Sequence, residues 1–233
     1  MLVVRDLHVR FGQAHILQGV DLAVGPAPLA IVGRNGMGKT TLCQAIMGMV
    51  AGRGEIRLDG TDLAGRAPDR VARAGLALVP QGRRTFPSLT VDEHLRLVDQ
   101  GPRARWTRAR AYETFPRLAE RRRNGGTQLS GGEQQMLAIA RALLMNPRLV
   151  IMDEPSEGLA PVIVDHLAGV LRGLTQEGIG LLLVEQNLRM ATAVCEQVAV
   201  MVTGRIAATL PAAELAGNDD LQRRYLGVAA GHH

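Results

Sequence analysis

Gly33, Gly38, Lys39 and Thr40 stand in the spacing G-x-x-x-x-G-K-[ST], and Lys39 is the one lysine among 27 Lys and Arg residues. Glycines so placed let a loop wrap a chain of phosphates, with the N–H groups of Arg34, Asn35, Gly36 and Met37 turned inward. A helix opening at the end of the loop adds its positive dipole end to the same anion. A compact ammonium on a slim stem reaches between two phosphates where a planar guanidinium does not fit. That is why lysine survives here in a chain that otherwise writes arginine. Thr40 offers a hydroxyl to Mg2+ and Thr41 one to the first phosphate. Two acids, Asp153 and Glu154, end the run LVIMDE. Asp153 suits a ligand of Mg2+; Glu154, directed differently, suits polarisation of an attacking water in an in-line displacement.

The elements that must position these groups are legible as well. LAIVG (29–33), LALVP (76–80), LVIMD (149–153) and LLLVE (181–185) are continuous apolar runs of strand length. Strands without a polar face are buried on both sides, so they predict a largely parallel sheet between helices, an α/β fold. The phosphate loop then sits between a buried strand and the helix TTLCQAIMGM, and both acids fall at the carboxyl edge of the sheet, where such sheets bind ligands. Residues 1–25 predict an antiparallel hairpin attached to the main sheet, which makes that sheet mixed. Residues 90–128 lose the strand pattern and read as a small arginine-rich helical insertion, helical apart from Pro116 and closed by NGG. The tail PAAELAGNDDLQRRYLGV predicts two short helices, the second starting near Asp219 or Asp220. There is no internal repeat.

Composition narrows the class. At 233 residues with 46% hydrophobic and 21% charged side chains, the chain is globular and has room for one catalytic unit. No run approaches the ~18 to 20 apolar residues of a membrane helix, and the start lacks an apolar leader, so a cytoplasmic protein is expected. Cys43 and Cys195 lie in apolar stretches and read as inert core thiols. None of the six His has metal-ligand spacing with Cys or acids. The net charge of +5 suits a nucleic acid or an acidic membrane face, but 3% aromatics argues against a base-stacking surface.

LSGGEQQ (129–135) offers a second anion-binding helix start, with Ser130 as a good N-cap ahead of Gly131, Gly132 and Glu133. With the phosphate loop and IMDEP, this resembles the ATP-binding cassette (ABC) ATPases over essentially the whole chain. The resemblance implies ATP and Mg2+ as ligands and a core of residues 1–89 and 129–233 with a β subdomain. Residues 90–128 then form the helical subdomain. It implies that Phe11 stacks on adenine, that Gln81 senses the γ-phosphate, Mg2+ and contact with the transporter, and that Ser156 to Ala160 join two active sites across a dimer. Ser130, Gly131, Gly132 and Glu133 would serve the nucleotide of a second cassette, a sister chain or a copy, in a head-to-tail pair. The family's switch histidine falls at Gln186, whose amide donates to a phosphate oxygen but carries no titrating proton. Hydrolysis would then rest on Glu154.

Within the family, GRNGMGKTTL, VPQGRRTFPSLTV, DEPSEGLAP, LVEQN and the closing YLGV resemble the ATPases of branched-chain amino-acid uptake systems. The urea-uptake ATPases are similar in GRNG, PQGR and EG, and both readings stand at this point. Either implies a peripheral position on the inner membrane face through permease subunits, with a periplasmic binding protein choosing the solute. A non-transport cassette acting on nucleic acid or the ribosome is the alternative of another class. It usually needs tandem cassettes or a long coiled coil, for which this chain has no room. A GTPase switch needs N-K-x-D, and no second lysine exists to make it.

Overall fold

The computed structural model describes residues 1–226; the last two residues of the YLGV stretch and the terminal GHH lie outside the described residues. The chain opens with β1 (Leu2–Phe11), β2 (Ala14–Val24), β3 (Leu29–Val32), α1 (Lys39–Ile46), β4 (Arg53–Leu58), β5 (Thr61–Asp62), α2 (Pro68–Arg73) and β6 (Leu76–Val79). A helical stretch follows, α3 (Val91–Arg96), α4 (Arg108–Thr114), α5 (Pro116–Glu120) and α6 (Gly131–Leu144). The chain continues through β7 (Leu149–Asp153), α7 (Pro161–Gln176), β8 (Gly180–Glu185), α8 (Leu188–Val194), β9 (Gln197–Val202), β10 (Arg205–Pro211), α9 (Ala212–Ala216) and α10 (Asp219–Leu226).

Six strands form the main sheet in the order β10-β9-β3-β8-β7-β6, parallel throughout except for the β10 edge. The apolar runs are buried on both faces, as expected. Leu29, Ile31, Ile151 and Val184 enter one core, and Ala30, Val32, Met152 and Leu183 enter the other. Burying each such Leu or Ile contributes about 1.5–3 kcal/mol.

The amino-terminal hairpin forms the antiparallel β subdomain that the family resemblance implies and departs only from the expectation that it attaches to the main sheet. Instead of joining the main sheet, β1 and β2 pair with β4 and β5 in a separate antiparallel sheet ordered β2-β1-β4-β5. Its inner residues Leu2, Val4, Leu7 and Val9 pack into the same core as Leu42 and Ile46 of α1, so the second sheet covers the first rather than extending it. A backbone bond ties β2 to the turn between β9 and β10, from Gln18 N–H to Gly204 O at 2.9 Å. The mixed character of the main sheet comes from β10.

In the helical stretch, Pro116 starts α5 instead of merely interrupting a helix, at the first position, where a missing N–H is harmless. Trp106, Phe115 and Leu118 are buried with Leu137 of α6 and Val150 of the sheet, so the insertion shares the main core. The two tail helices form as expected, and both cysteines are free and buried. Burial pushes both thiols up, Cys195 to about 12.

α3 holds a histidine with no access to solvent, His94. Its Nδ1–H donates to Thr90 O at 2.8 Å, and its Nε2 accepts from Phe86 N–H at 2.8 Å. The imidazole is therefore neutral. Burial lowers its pKa, Arg141 lowers it further, and the hydrogen bond to Thr90 with Glu93 opposes them. An unfolded histidine titrates near ~6.5, so the unfolded chain binds the proton first as pH falls. Stability is accordingly expected to hold above that value and to decline below it. Urea midpoints at neutral and acid pH check this, with a smaller decline expected in His94→Gln.

Candidate active site

The site grows from the end of β3. A side chain at Gly33 would place its Cβ 2.5 Å from Met201 O, so only glycine lets the chain leave the sheet there. Gly38 opens α1 at φ +101°, a left-handed conformation suited to glycine. It provides no side-chain cap, whereas Thr90, Thr107, Ser130 and Asn187 cap their own helices. The first amides of α1 thus have no side-chain cap among the described residues, an arrangement that suits an anion. Lys39 is 4% exposed, and its ammonium donates to Gly33 O at 2.8 Å and Arg34 O at 3.1 Å. It also lies 3.0 Å from Glu154 Oε1. Three donors meet three acceptors.

Asp153 ends β7, 3% exposed, with Oδ1 buried and without a partner among the described residues. Burial raises its pKa against the opposing hydrogen bond from Thr40, and Glu154 adds to the rise. An orphaned carboxylate oxygen beside a hydroxyl is the oxygen donor set a hard divalent cation takes, so these residues fit Mg2+. Glu154 sits at φ +48° while its N–H still donates to Val184 O at 2.8 Å. That left-handed turn departs from strand alternation and brings the carboxylate to Lys39. Gln81, just beyond β6, donates its amide to Glu157 at 3.0 Å and to Glu154 at 3.4 Å. Asn35, Gly36, Gly38, Lys39, Thr40, Thr41, Gln81 and Glu154 line one open cavity of about 420 Å³ together with Ile16.

The family model for ABC transporters matches residues 17–157, from β2 through the loop after Glu154. The chain belongs to the ABC transporter family. This cassette is 36% identical to the high-affinity branched-chain amino acid transport ATP-binding protein BraG of Pseudomonas aeruginosa, over 97% of this chain and 100% of that one. It is 31% identical to the lipopolysaccharide export system ATP-binding protein LptB of Haemophilus influenzae, over 97% of each. Its fold superposes on a solved ATP-binding cassette of an ABC transporter with a TM-score of 0.83 at 23% identity, covering 97% of this chain and 99% of that one. The cassette is an ATP-binding, ATP-hydrolysing subunit of a transporter. No helix among its described residues is long and apolar enough to cross a membrane.

Other expected residues of the cassette lie apart from the cavity. Ser130, Gly131, Gly132 and Glu133 line a separate groove with Gly158, Leu159 and Ala160. Ser130 caps α6 as expected, accepting from Glu133 N–H, while Glu133 accepts from Ser130 N–H at 2.8 Å and is thereby occupied within its own helix start. Phe11, at the end of β1, is 51% exposed rather than packed. Gln186 is exposed just past β8, its N–H donating to the carboxylate of Glu185 at 3.1 Å.

Glu185 was not anticipated from sequence. It is 2% exposed and accepts from Ser156 N–H at 3.0 Å and Asn187 N–H at 3.1 Å, tying the loop after Glu154 to the segment carrying Gln186. Burial raises its pKa against the bonds from Ser156 and Asn187. The signal was an acid ending the apolar run LLLVE, the same signal that marked Asp153. Ile16 was missed because nothing in the pattern of β2 marks its side chain as facing the phosphate loop.

Proposed function

We propose that this cassette is the ATPase of an importer for branched-chain or other hydrophobic amino acids. The observation that supports the solute class is the 36% identity with the Pseudomonas aeruginosa protein along 97% of this chain and 100% of that one. The cassette meets permease subunits on the inner membrane face, and the solute is chosen by those subunits and a periplasmic binding protein. The working core is assigned to residues 1–89 and 129–233, of which 227–233 lie outside the described residues, and the helical subdomain to 90–128.

The mechanism assigned to the site is an exchange of anions. Lys39, held by Glu154 at 3.0 Å, passes to the β- and γ-phosphates when ATP enters among the amides of residues 33–38. Glu154, released, orients and deprotonates the attacking water. Mg2+, when bound, supplies neutralisation of charge on the phosphates. Thr40, Asp153 and Gln81 would hold it. Phe11 has the exposure to take adenine on its ring, Thr41 reaches the α-phosphate, and Gln186 donates its amide to the γ-phosphate. The far side of the triphosphate is completed by the helix start at Ser130 to Gly132 of a second cassette, a copy or a sister chain, with Glu133 bracing that start. Because the nucleotide bridges two chains, its binding drives their association and its cleavage weakens it.

Reconstitution tests the solute. The cassette is co-purified with candidate permease and binding-protein subunits, and hydrolysis is measured with loaded binding protein. Stimulation by leucine or valine and not by urea is expected. Stimulation by urea alone, or hydrolysis driven by nucleic acid without a permease, would overturn the reading.

A further inference from the structure

The segment after Gln81 is held in a conformation it would not adopt alone. Gly82 is followed by Arg83 at φ +62° and Arg84 at φ +40°. Two consecutive left-handed residues with side chains persist only where their surroundings hold them. Three contacts do so. Arg83 donates to Glu157 O at 2.9 Å, and Arg141 donates to Arg84 O at 3.0 Å with its guanidinium 5.3 Å from the centre of the Phe86 ring. The third is His94, whose Nε2 takes the Phe86 N–H.

The arginine contacts end long, flexible side chains, and neither buries its residue fully. His94 is different: it has no exposure, stacks on Phe86 with ring centres 5.7 Å apart, and is fixed at its other nitrogen. Thr90 O already accepts the His94 backbone N–H at 3.0 Å, and a carbonyl can only accept. Nδ1 therefore carries the hydrogen, and Nε2 presents its lone pair to Phe86. One ring spans the start of α3 and the far end of the segment that begins at Gln81.

We propose that His94 is a positioning residue for ATP hydrolysis: by holding Phe86 N–H it keeps the strained Arg83–Arg84 turn in place and so sets how far Gln81 reaches into the nucleotide cavity. It touches no nucleotide itself. The inference rests on the reading that Gln81 contacts the γ-phosphate side of the site.

The two nitrogens of His94 can be separated by substitution. Glutamine places an acceptor near Nε2, whereas asparagine keeps a donor near Nδ1 and cannot reach Phe86. In the assembled transporter, His94→Asn should lower kcat for ATP about 10- to 100-fold, the scale of a displaced positioning group, with nucleotide affinity nearly unchanged. His94→Gln should stay close to the parental kcat. Amide exchange at Phe86 should quicken in His94→Asn and remain slow in His94→Gln, a readout that holds even if catalytic rates are low. Gln81→Ala serves as the reference. If it hydrolyses ATP at the parental rate, the reading of Gln81 fails and this inference with it. If Gln81→Ala is impaired but His94→Asn is not, or if glutamine is as damaging as asparagine, the role of His94 alone is overturned.

Discussion

Replacing Lys39 by arginine is expected to lower ATP turnover about 100- to 1,000-fold, the range for loss of one group that stabilises developing negative charge. The ammonium uses all three of its hydrogens, on Gly33 O, Arg34 O and Glu154, at 2.8, 3.1 and 3.0 Å. A guanidinium carries five N–H groups in a planar fork and has no way to match three acceptors placed around one nitrogen. At 4% exposure it has no solvent to escape into, so it must displace the loop carbonyls or leave the cavity. Both outcomes remove the charge from the phosphates. Turnover, nucleotide affinity and the melting transition on the same preparation check this. Near-parental turnover in a folded variant would refute the argument from shape.

Glu154→Gln is expected to separate binding from cleavage. The amide is nearly the same size and still accepts a hydrogen bond, but it has no basic carboxylate for the water, so hydrolysis should fall about 10²- to 10⁴-fold. Lys39 loses its resident anion and turns more readily to the triphosphate. ATP affinity should therefore hold or rise, and ATP-dependent pairing should persist. Phosphate release and sedimentation with ATP and Mg2+ measure the two halves. Phosphate release at the parental rate would remove Glu154 from its assigned role.

Much of this was legible because the chemistry is local in the chain. Residues 33–41 are consecutive, and one loop between a strand and a helix places them. LVIM and LLLV are apolar at every step, which implies burial on both faces and puts the acids that end these runs, Asp153 and Glu185, at a sheet edge. What escaped was tertiary. β4 is short, with two buried side chains, Ile56 and Leu58, and no local pattern shows that it recruits the amino-terminal hairpin into its own sheet. The left-handed turn of Glu154 toward Lys39 is accompanied by a backbone bond to Val184 O and an ion pair, neither of them local in sequence, and has no glycine to announce it. His94 read as an unremarkable histidine because its partner Phe86 lies across a turn whose shape the sequence does not state. Glu185 was overlooked although the pattern that flagged Asp153 was present there too.

On this mechanism one buried ammonium, Lys39, exchanges a carboxylate for a triphosphate whose far side is completed by another chain. A crystal structure of the cassette with Mg2+ and a nonhydrolysable ATP analogue, under conditions that favour pairing, tests it most directly. Lys39 Nζ is expected on the β- and γ-phosphates, with Glu154 free of it and the Ser130 to Gly132 helix start of a second cassette against the γ-phosphate. Nucleotide bound with the Lys39 to Glu154 pair intact, or enclosed fully by a single chain, would contradict it.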